Sequence, residues 1–268
     1  MKNSFKTVEI SDTVFEFQGL RFLTVKTLNL EGRGDICLFV PKVAKTINNL
    51  PIYILLHGVY GSSWVWSMKG GAHKTAAKLI NNKTIKPAII AMPSDGLWGD
   101  GSAYFSHHQK RFDKWIVEDV ITALKENISE AKNSRATCIG GLSMGGYGAL
   151  SLGSRFPEKF KAISGHSSIT KLEQMSLFVE EPLYQYLKEA VSPNVIDSIK
   201  KNESILPALR FDCGKNDELI EPNRILHQEL EKAQIKHLYE EFDGGHEWSY
   251  WIKNLEKTLI FFNSNINI

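Results

Sequence analysis

"GGLSMGGYGALSLGSRFP", residues 140–157, sets Ser143 among glycines and then runs on in small residues. Glycine is costly inside regular structure, so either the backbone needs freedom here or something comes very close to it. An apolar run, "ATCIGG" (136–141), enters the serine, and a helix-compatible run leaves it at Gly145 and ends before Pro157. At ~7% each for glycine and serine, a chain of 268 residues would show Gly-x-Ser-x-Gly by chance about one time in ten. The pattern alone is weak, and its flanks give it weight. A strand, a sharp turn and a helix around a serine form the elbow that presents a nucleophile. In such a turn the serine backbone is strained, and side chains at 141 and 145 would strike neighbouring elements. Glycine is required at both.

Working outward, short apolar runs recur at 51–57 ("PIYILLH"), 87–93 ("PAIIAMP"), 161–166 ("KAISGH") and 206–214 ("LPALRFDCG"). They read as buried parallel strands. Helical patterns separate them at 71–81, 112–127, 145–155, 222–234 and 247–262. In the second of these, Phe112, Trp115, Ile116, Val120 and Leu124 share a face, which predicts a core position for Trp115. Upstream, 21–28 and 34–40 predict an antiparallel hairpin around a glycine-bearing turn. The "RGD" at 33–35 is read as turn chemistry rather than an adhesion motif. Strand and helix alternate through nearly the whole chain, so the expected fold is α/β: a mostly parallel, doubly wound sheet with an N-terminal antiparallel hairpin. The expectation is a single domain over 1–268, with loop or lid insertions near 94–111 and 167–205, where that rhythm fails.

Composition bounds the function. The chain is 43% hydrophobic and 23% charged, with net charge +2, so neither nucleic acid nor a membrane surface is an expected partner. The lysines between Lys74 and Lys86 are too thinly spread for a binding arm and read as a solvated helix face. No apolar run approaches the ~20 residues of a membrane span, and "MKNSFKTVEISDTVFEFQG" does not read as a signal peptide. Cys37, Cys138 and Cys213 form no C-x-x-C and are expected to be reduced thiols in a cytoplasmic protein.

A serine hydroxyl needs a base to take its proton. "FDGGHEWSYW" (242–251) places His246 in a late loop after two glycines, ahead of the last helix. His227 and His237, on the preceding helix and strand, read as solvated. His107 and His108 are a pair without a nearby cysteine or third histidine, so no metal site is expected, and no cofactor. An orienting carboxylate should follow the strand at 206–212, where Asp212 and Asp217 compete. Asp217 is favoured because it lies in the loop, whereas Asp212 sits at the strand end and is expected to bind backbone donors of the next turn. The chain order serine, acid, histidine is that of an α/β-hydrolase. "HGVYGSSW" (57–64) offers Val59 as one oxyanion donor, with Met144 as the other. His57 and Gly58 read as scaffold of that turn. Trp64, Trp66, Trp98 and Trp248 lie near these motifs and are candidate walls for an apolar acyl or phenolic group.

"LLHGVYGSSWVW", "MPSDGLWGDG", "GGLSMGGYGAL", "CGKNDELIEPNRILHQEL" and "DGGHEWSYW" together resemble the esterase D-like serine esterases of the α/β-hydrolase fold. That group includes S-formylglutathione hydrolases, tributyrin-type, feruloyl and acetylxylan esterases, and the antigen 85 mycolyltransferases. The resemblance spans about residues 20–262 and implies Ser143 as nucleophile, Asp217 as acid, His246 as base, and Val59 and Met144 as the oxyanion hole. It also implies a small-molecule ester as substrate. The S-formylglutathione branch usually carries a cysteine in the loop where this chain has "HGVYGSS", which disfavours that substrate. Acyl transfer to an alcohol or sugar would use the same residues. A catalytically dead hydrolase fold serving as a binding module commonly lacks the serine or the histidine, and here both are present. A homo-oligomer stays open, since one chain does not determine assembly.

Overall fold

A computed structural model describes residues 4–42, 44, 46–182, 184 and 192–266. Among them one nine-stranded sheet runs in the order β1-β2-β3-β5-β4-β6-β7-β8-β9. Its strands are β1 (Val8–Ile10), β2 (Leu20–Thr27), β3 (Gly32–Phe39), β4 (Ile52–Leu56), β5 (Ile89–Pro93), β6 (Thr137–Leu142), β7 (Ala162–His166), β8 (Ala208–Gly214) and β9 (Leu238–Phe242). The first three and β5 pair antiparallel, and from β5 to β9 every pairing is parallel. Every residue of β4, β5, β6 and β7 is buried, as continuous apolar runs require when helices cover both faces.

The helices are α1 (Val65–Met68), α2 (Ala72–Asn81), α3 (residues 112–127), α4 (Met144–Arg155), α5 (Val195–Lys201), α6 (Ile220–Lys232) and α7 (Trp248–Asn265). One face of the sheet packs under α3, α4, α5 and α6 through Trp115, Ile116, Leu150, Ile199 and Leu226. The other packs under α2 and α7 through Ala76, Leu79, Leu255, Leu259 and Phe262. The mostly parallel, doubly wound α/β sheet read from the alternating pattern is present, with the antiparallel hairpin at its N-terminal edge, as the resemblance to the α/β-hydrolase fold implied.

Three local readings change. The "RGD" lies inside β3, where Gly34 faces Val25 and Asp35 faces Thr24. The turn is the tighter 28–31, with Glu31 in the left-handed region at φ 49°. Strand β1 carried too few apolar residues to be recognised. The middle of α3, Trp115–Val120, is wound as a π-helix, yet Phe112, Trp115, Ile116, Val120 and Leu124 are all buried. The segment 94–111 is irregular. In 167–205, Leu172–Leu177 is a 3₁₀ turn and α5 follows, while 183 and 185–191 lie outside the described residues.

Candidate active site

Parallel strands put the loops that follow them on one edge of the sheet, and the candidate residues gather there. Ser143 leaves β6 at φ 54° and ψ −119°, a conformation that costs a non-glycine residue on the order of 1–3 kcal/mol. The flanking glycines make it feasible. A Cβ at Gly141 would collide with the Gly145 carbonyl, and one at Gly145 would stand 2.5 Å from the His57 carbonyl oxygen. Helix α4 begins at Met144, directly behind the serine.

The Ser143 hydroxyl lies 3.0 Å from His246 Nε2, and His246 Nδ1 lies 3.0 and 3.1 Å from the two oxygens of Asp217. An ionised carboxylate only accepts, so Nδ1 carries the proton and Nε2 is free to accept from the serine. Both loops are held together. Lys215 N–H donates to the Phe242 carbonyl at 2.9 Å, and Asn216 N–H to that of Gly244 at 3.0 Å. This approach needs Gly214, because a Cβ there would strike the Gly244 carbonyl. Asp217 also accepts from Leu219 N–H at 2.8 Å. Burial pushes its pKa up, but the hydrogen bonds and charge of His246 and the hydrogen bond from Leu219 outweigh it and hold the carboxyl below the usual aspartate value.

Gly58 packs against Ser143, and a Cβ there would sit 3.3 Å from that of the serine. The next residue is Val59. Among the described residues, the N–H groups of Val59 and Met144 have no protein acceptor. His57 is scaffold, as read from the sequence. Its Nδ1–H donates to the Gly58 carbonyl at 2.7 Å, and its Nε2 accepts from Asp95 N–H at 3.1 Å. Tyr60 N–H donates to the Asp100 carbonyl at 2.8 Å, which fastens this loop to 94–111. Asp100 in turn accepts from Glu180 N–H at 2.8 Å and donates its own N–H to Glu181 at 2.7 Å.

Asp212 does not reach His246. The backbone donors expected for its side chain are also not its partners, since buried side chains engage it instead. His166 Nδ1 lies 3.1 Å from one oxygen, Tyr250 O–H donates to it at 2.7 Å, and Arg210 stands 2.6 Å from the other. The aromatic expectations divide. Trp66 is a core residue rather than a site wall: it is 1% exposed and its indole N–H donates to the Leu56 carbonyl at 2.9 Å. Trp64 is exposed at the start of α1. Trp98 is half-buried against His107 and His108, at ring separations of 4.6 and 5.0 Å. Trp248 packs edge-on between Trp66 and Trp251. The rings that touch His246 are ones the motifs did not single out. Phe178 stacks on it at 4.9 Å, and Trp251 meets it edge-on at 5.1 Å while its N–H donates to Ser167. Trp251 lies three residues after Trp248, so helical spacing could have revealed it. Phe178 carried no local signal.

With this geometry in place, likeness to known proteins adds the family. The Esterase family model, described as "Putative esterase", matches residues 29–262. An acetyl esterase of Caldicellulosiruptor saccharolyticus is 25% identical over 224 residues, 76% of this chain and 80% of that protein. Among solved structures, a ferulic acid esterase aligns with TM-score 0.80 at 20% identity, covering 97% of this chain and all of the other. An S-formylglutathione hydrolase of Staphylococcus aureus aligns with TM-score 0.77 at 15% identity, covering 95% and 99%. The chain therefore belongs to the esterase family and is a carboxylic ester hydrolase of the α/β-hydrolase fold.

Proposed function

We propose that the chain is a serine esterase that works through an acyl-enzyme on small esters with short acyl chains. The observation that carries this reading is the line Ser143 Oγ, His246 Nε2, His246 Nδ1, Asp217, with each step near 3.0 Å. Ser143 attacks the ester carbonyl while His246 Nε2 takes its proton. Asp217 stabilises the imidazolium, and the N–H groups of Val59 and Met144 hold the developing oxyanion. His246 then returns the proton to the leaving alcohol, and the acyl group stays on Ser143. Water, deprotonated by His246, adds to that ester and releases the acid and the free serine.

The preference for short acyl chains draws support from the site's cover. Loop 94–111 is tied through Asp100 to Glu180 and Glu181, and a Cβ at Gly101 would strike the Met144 side chain, so this loop packs closely over the residue that follows Ser143. The name of the Caldicellulosiruptor relative, an acetyl esterase, points the same way. Three buried free thiols suit a reducing, cytoplasmic setting.

Ser143→Ala should lower kcat on p-nitrophenyl acetate by roughly 10⁴- to 10⁶-fold in a folded protein. A fluorophosphonate probe should label the wild type once and the variant not at all. Acetyl to butyryl esters should exceed lauroyl esters and S-formylglutathione in kcat/KM. Labelling that survives Ser143→Ala would remove the serine from its role, and a lauroyl optimum would remove the short-chain reading.

A further inference from the structure

At the opposite end of the sheet from Ser143, two histidines expected to be solvated meet each other. His227 and Glu231 lie one turn apart on α6, at i and i+4, and so project from the same face. The chain then turns at 233–236 and brings in His237 just before β9. The His237 side chain is only 1% exposed. Its ring lies flat on Phe211 at 5.7 Å, while that of His227 stacks on Tyr239 at 4.8 Å. Among the described residues this is the one group of three His, Cys, Asp or Glu side chains whose ligand atoms all lie within 4.8 Å of one another.

Proton positions follow from the partners. The Ile235 carbonyl can only accept, so the His237 nitrogen facing it at 2.8 Å, Nδ1, carries the hydrogen. His237 Nε2 therefore holds a lone pair. It points at His227 Nδ1, 2.7 Å away, with a Glu231 oxygen at 4.0 Å. An imidazole whose second nitrogen donates to a backbone carbonyl, leaving the first as a lone-pair donor, has the outer-shell arrangement of a metal-ligating histidine. We propose that His227 Nδ1, His237 Nε2 and the Glu231 carboxylate bind one divalent transition-metal ion of the zinc class.

Two imidazoles and a carboxylate make the donor set that zinc takes when a fourth position stays open to water. Calcium and magnesium, which favour all-oxygen shells, suit it poorly. Nitrogens bound to a tetrahedral zinc at about 2.0–2.1 Å stand about 3.3 Å apart. The two rings must therefore part by about 0.6 Å relative to their 2.7 Å separation. His227, half-exposed near the end of its helix, can supply that movement by rotating its side chain. Glu231, with 65% of its side chain exposed, can swing in from solvent. A cleft of about 750 Å³ bordered by Ile235, Lys236, His237 and Leu238 lies beside the cluster. The bound ion would fasten the last turns of α6 to the start of β9, the strand whose far end leads to His246. It would act on the scaffold and leave the chemistry at Ser143 untouched.

The test uses the full chain, stripped with a chelator, and titrates it with Zn²⁺ by calorimetry and with Co²⁺ by visible absorption. The expected result is one equivalent bound, Co²⁺ bands of low-symmetry four- or five-coordination, and a Tm rise of roughly 5–10 °C at a hundredfold excess over Kd. Equal Mg²⁺ or Ca²⁺ should leave Tm unchanged. His227→Ala and His237→Ala should abolish the binding, and Glu231→Gln should weaken it by at least about 10- to 100-fold, with esterase activity unaltered. Should the histidine variants fail to fold, the exposed Glu231→Gln decides alone. Absence of stoichiometric binding, or binding that Glu231→Gln leaves at full strength, overturns the site and leaves an imidazole–imidazole hydrogen bond in its place.

Discussion

Two aspartates five residues apart, Asp212 and Asp217, show what position does to the same side chain. Asp217 holds His246 Nδ1 at 3.0 Å, so its replacement by asparagine would present an amide that can stabilise the wrong tautomer. Asp217→Asn should lower kcat on the order of 10⁴-fold with little loss of stability. Asp212 is fully buried between Arg210, His166 and Tyr250. Asp212→Asn leaves the Arg210 charge facing a neutral group in the interior and should cost about 3–5 kcal/mol in urea unfolding. Its effect on kcat should be small where the variant is folded. The reverse pattern, with turnover lost in Asp212→Asn and kept in Asp217→Asn, would exchange the two assignments. Ser143, His246 and Asp217 were legible because each sits in a motif whose local chemistry is unusual. Phe178 was not, because a phenylalanine in an irregular segment looks the same whether or not it touches a histidine.

At the scale of elements, period and turn chemistry located the hairpin and the helices, while their ends and exact winding depended on neighbours. Helix α3 shows why. Its apolar face was visible as Phe112, Trp115, Ile116, Val120 and Leu124, yet the π turn at Trp115–Val120 leaves the same residues buried and so no trace in the pattern. Trp115 is held by an N–H bond to the Ser94 carbonyl at 2.8 Å, and its ring occupies the space where Gly34 lacks a side chain. A Cβ at Gly34 would stand 2.5 Å from two ring atoms. Gly34→Ala should therefore destabilise the protein by about 1–3 kcal/mol through overpacking. Gly32→Ala, whose new carbon would meet only an ordinary contact at 3.5 Å, should change stability little. Equal urea midpoints for the two variants would contradict this account. The glycine of the "RGD" is thus a packing residue inside a strand.

Across the whole molecule, the polar network around Asp212 joins β7, β8, β9 and α7 beneath the site. Arg210 reaches Glu240 at 2.9 Å, and His166 Nε2 meets the Thr258 hydroxyl at 2.8 Å. Burial works to raise the Asp212 pKa, but the charges and hydrogen bonds of His166, Arg210 and Tyr250 hold it below the usual value. Asp217 is shifted in the same direction. The folded state thus binds these protons less readily than the unfolded chain. The stabilisation is complete above the ordinary aspartate value of about 3.9 and is lost as pH falls through the lower folded values. Asp119, whose carboxyl burial pushes up against the hydrogen bonds of Thr27 and Asn29, has the opposite sign. With Asp212, Asp217, Glu241 and Asp243 held below their usual values and Asp119 above its own, Tm should fall steeply below about pH 4. Asp212→Asn should flatten that fall, and an unchanged acid slope in this variant would remove Asp212 from the explanation.

By itself the sequence determined the alternation of buried strands and amphipathic helices, the glycine-flanked serine, and the chain order Ser143, Asp217, His246. Each is a local property, set by side-chain period, backbone sterics or a loop's place between two elements. Tertiary structure alone decided which rings surround His246, that Trp66 is core, that Asp212 faces Arg210, and that His227 meets His237. Those outcomes depend on pairs of residues brought together by the stacking of strands and the packing of helices against them. Such distances belong to no single stretch of chain. A glycine at 214 is only permissive in the sequence, and it acquires its reason when the Gly244 carbonyl arrives against it.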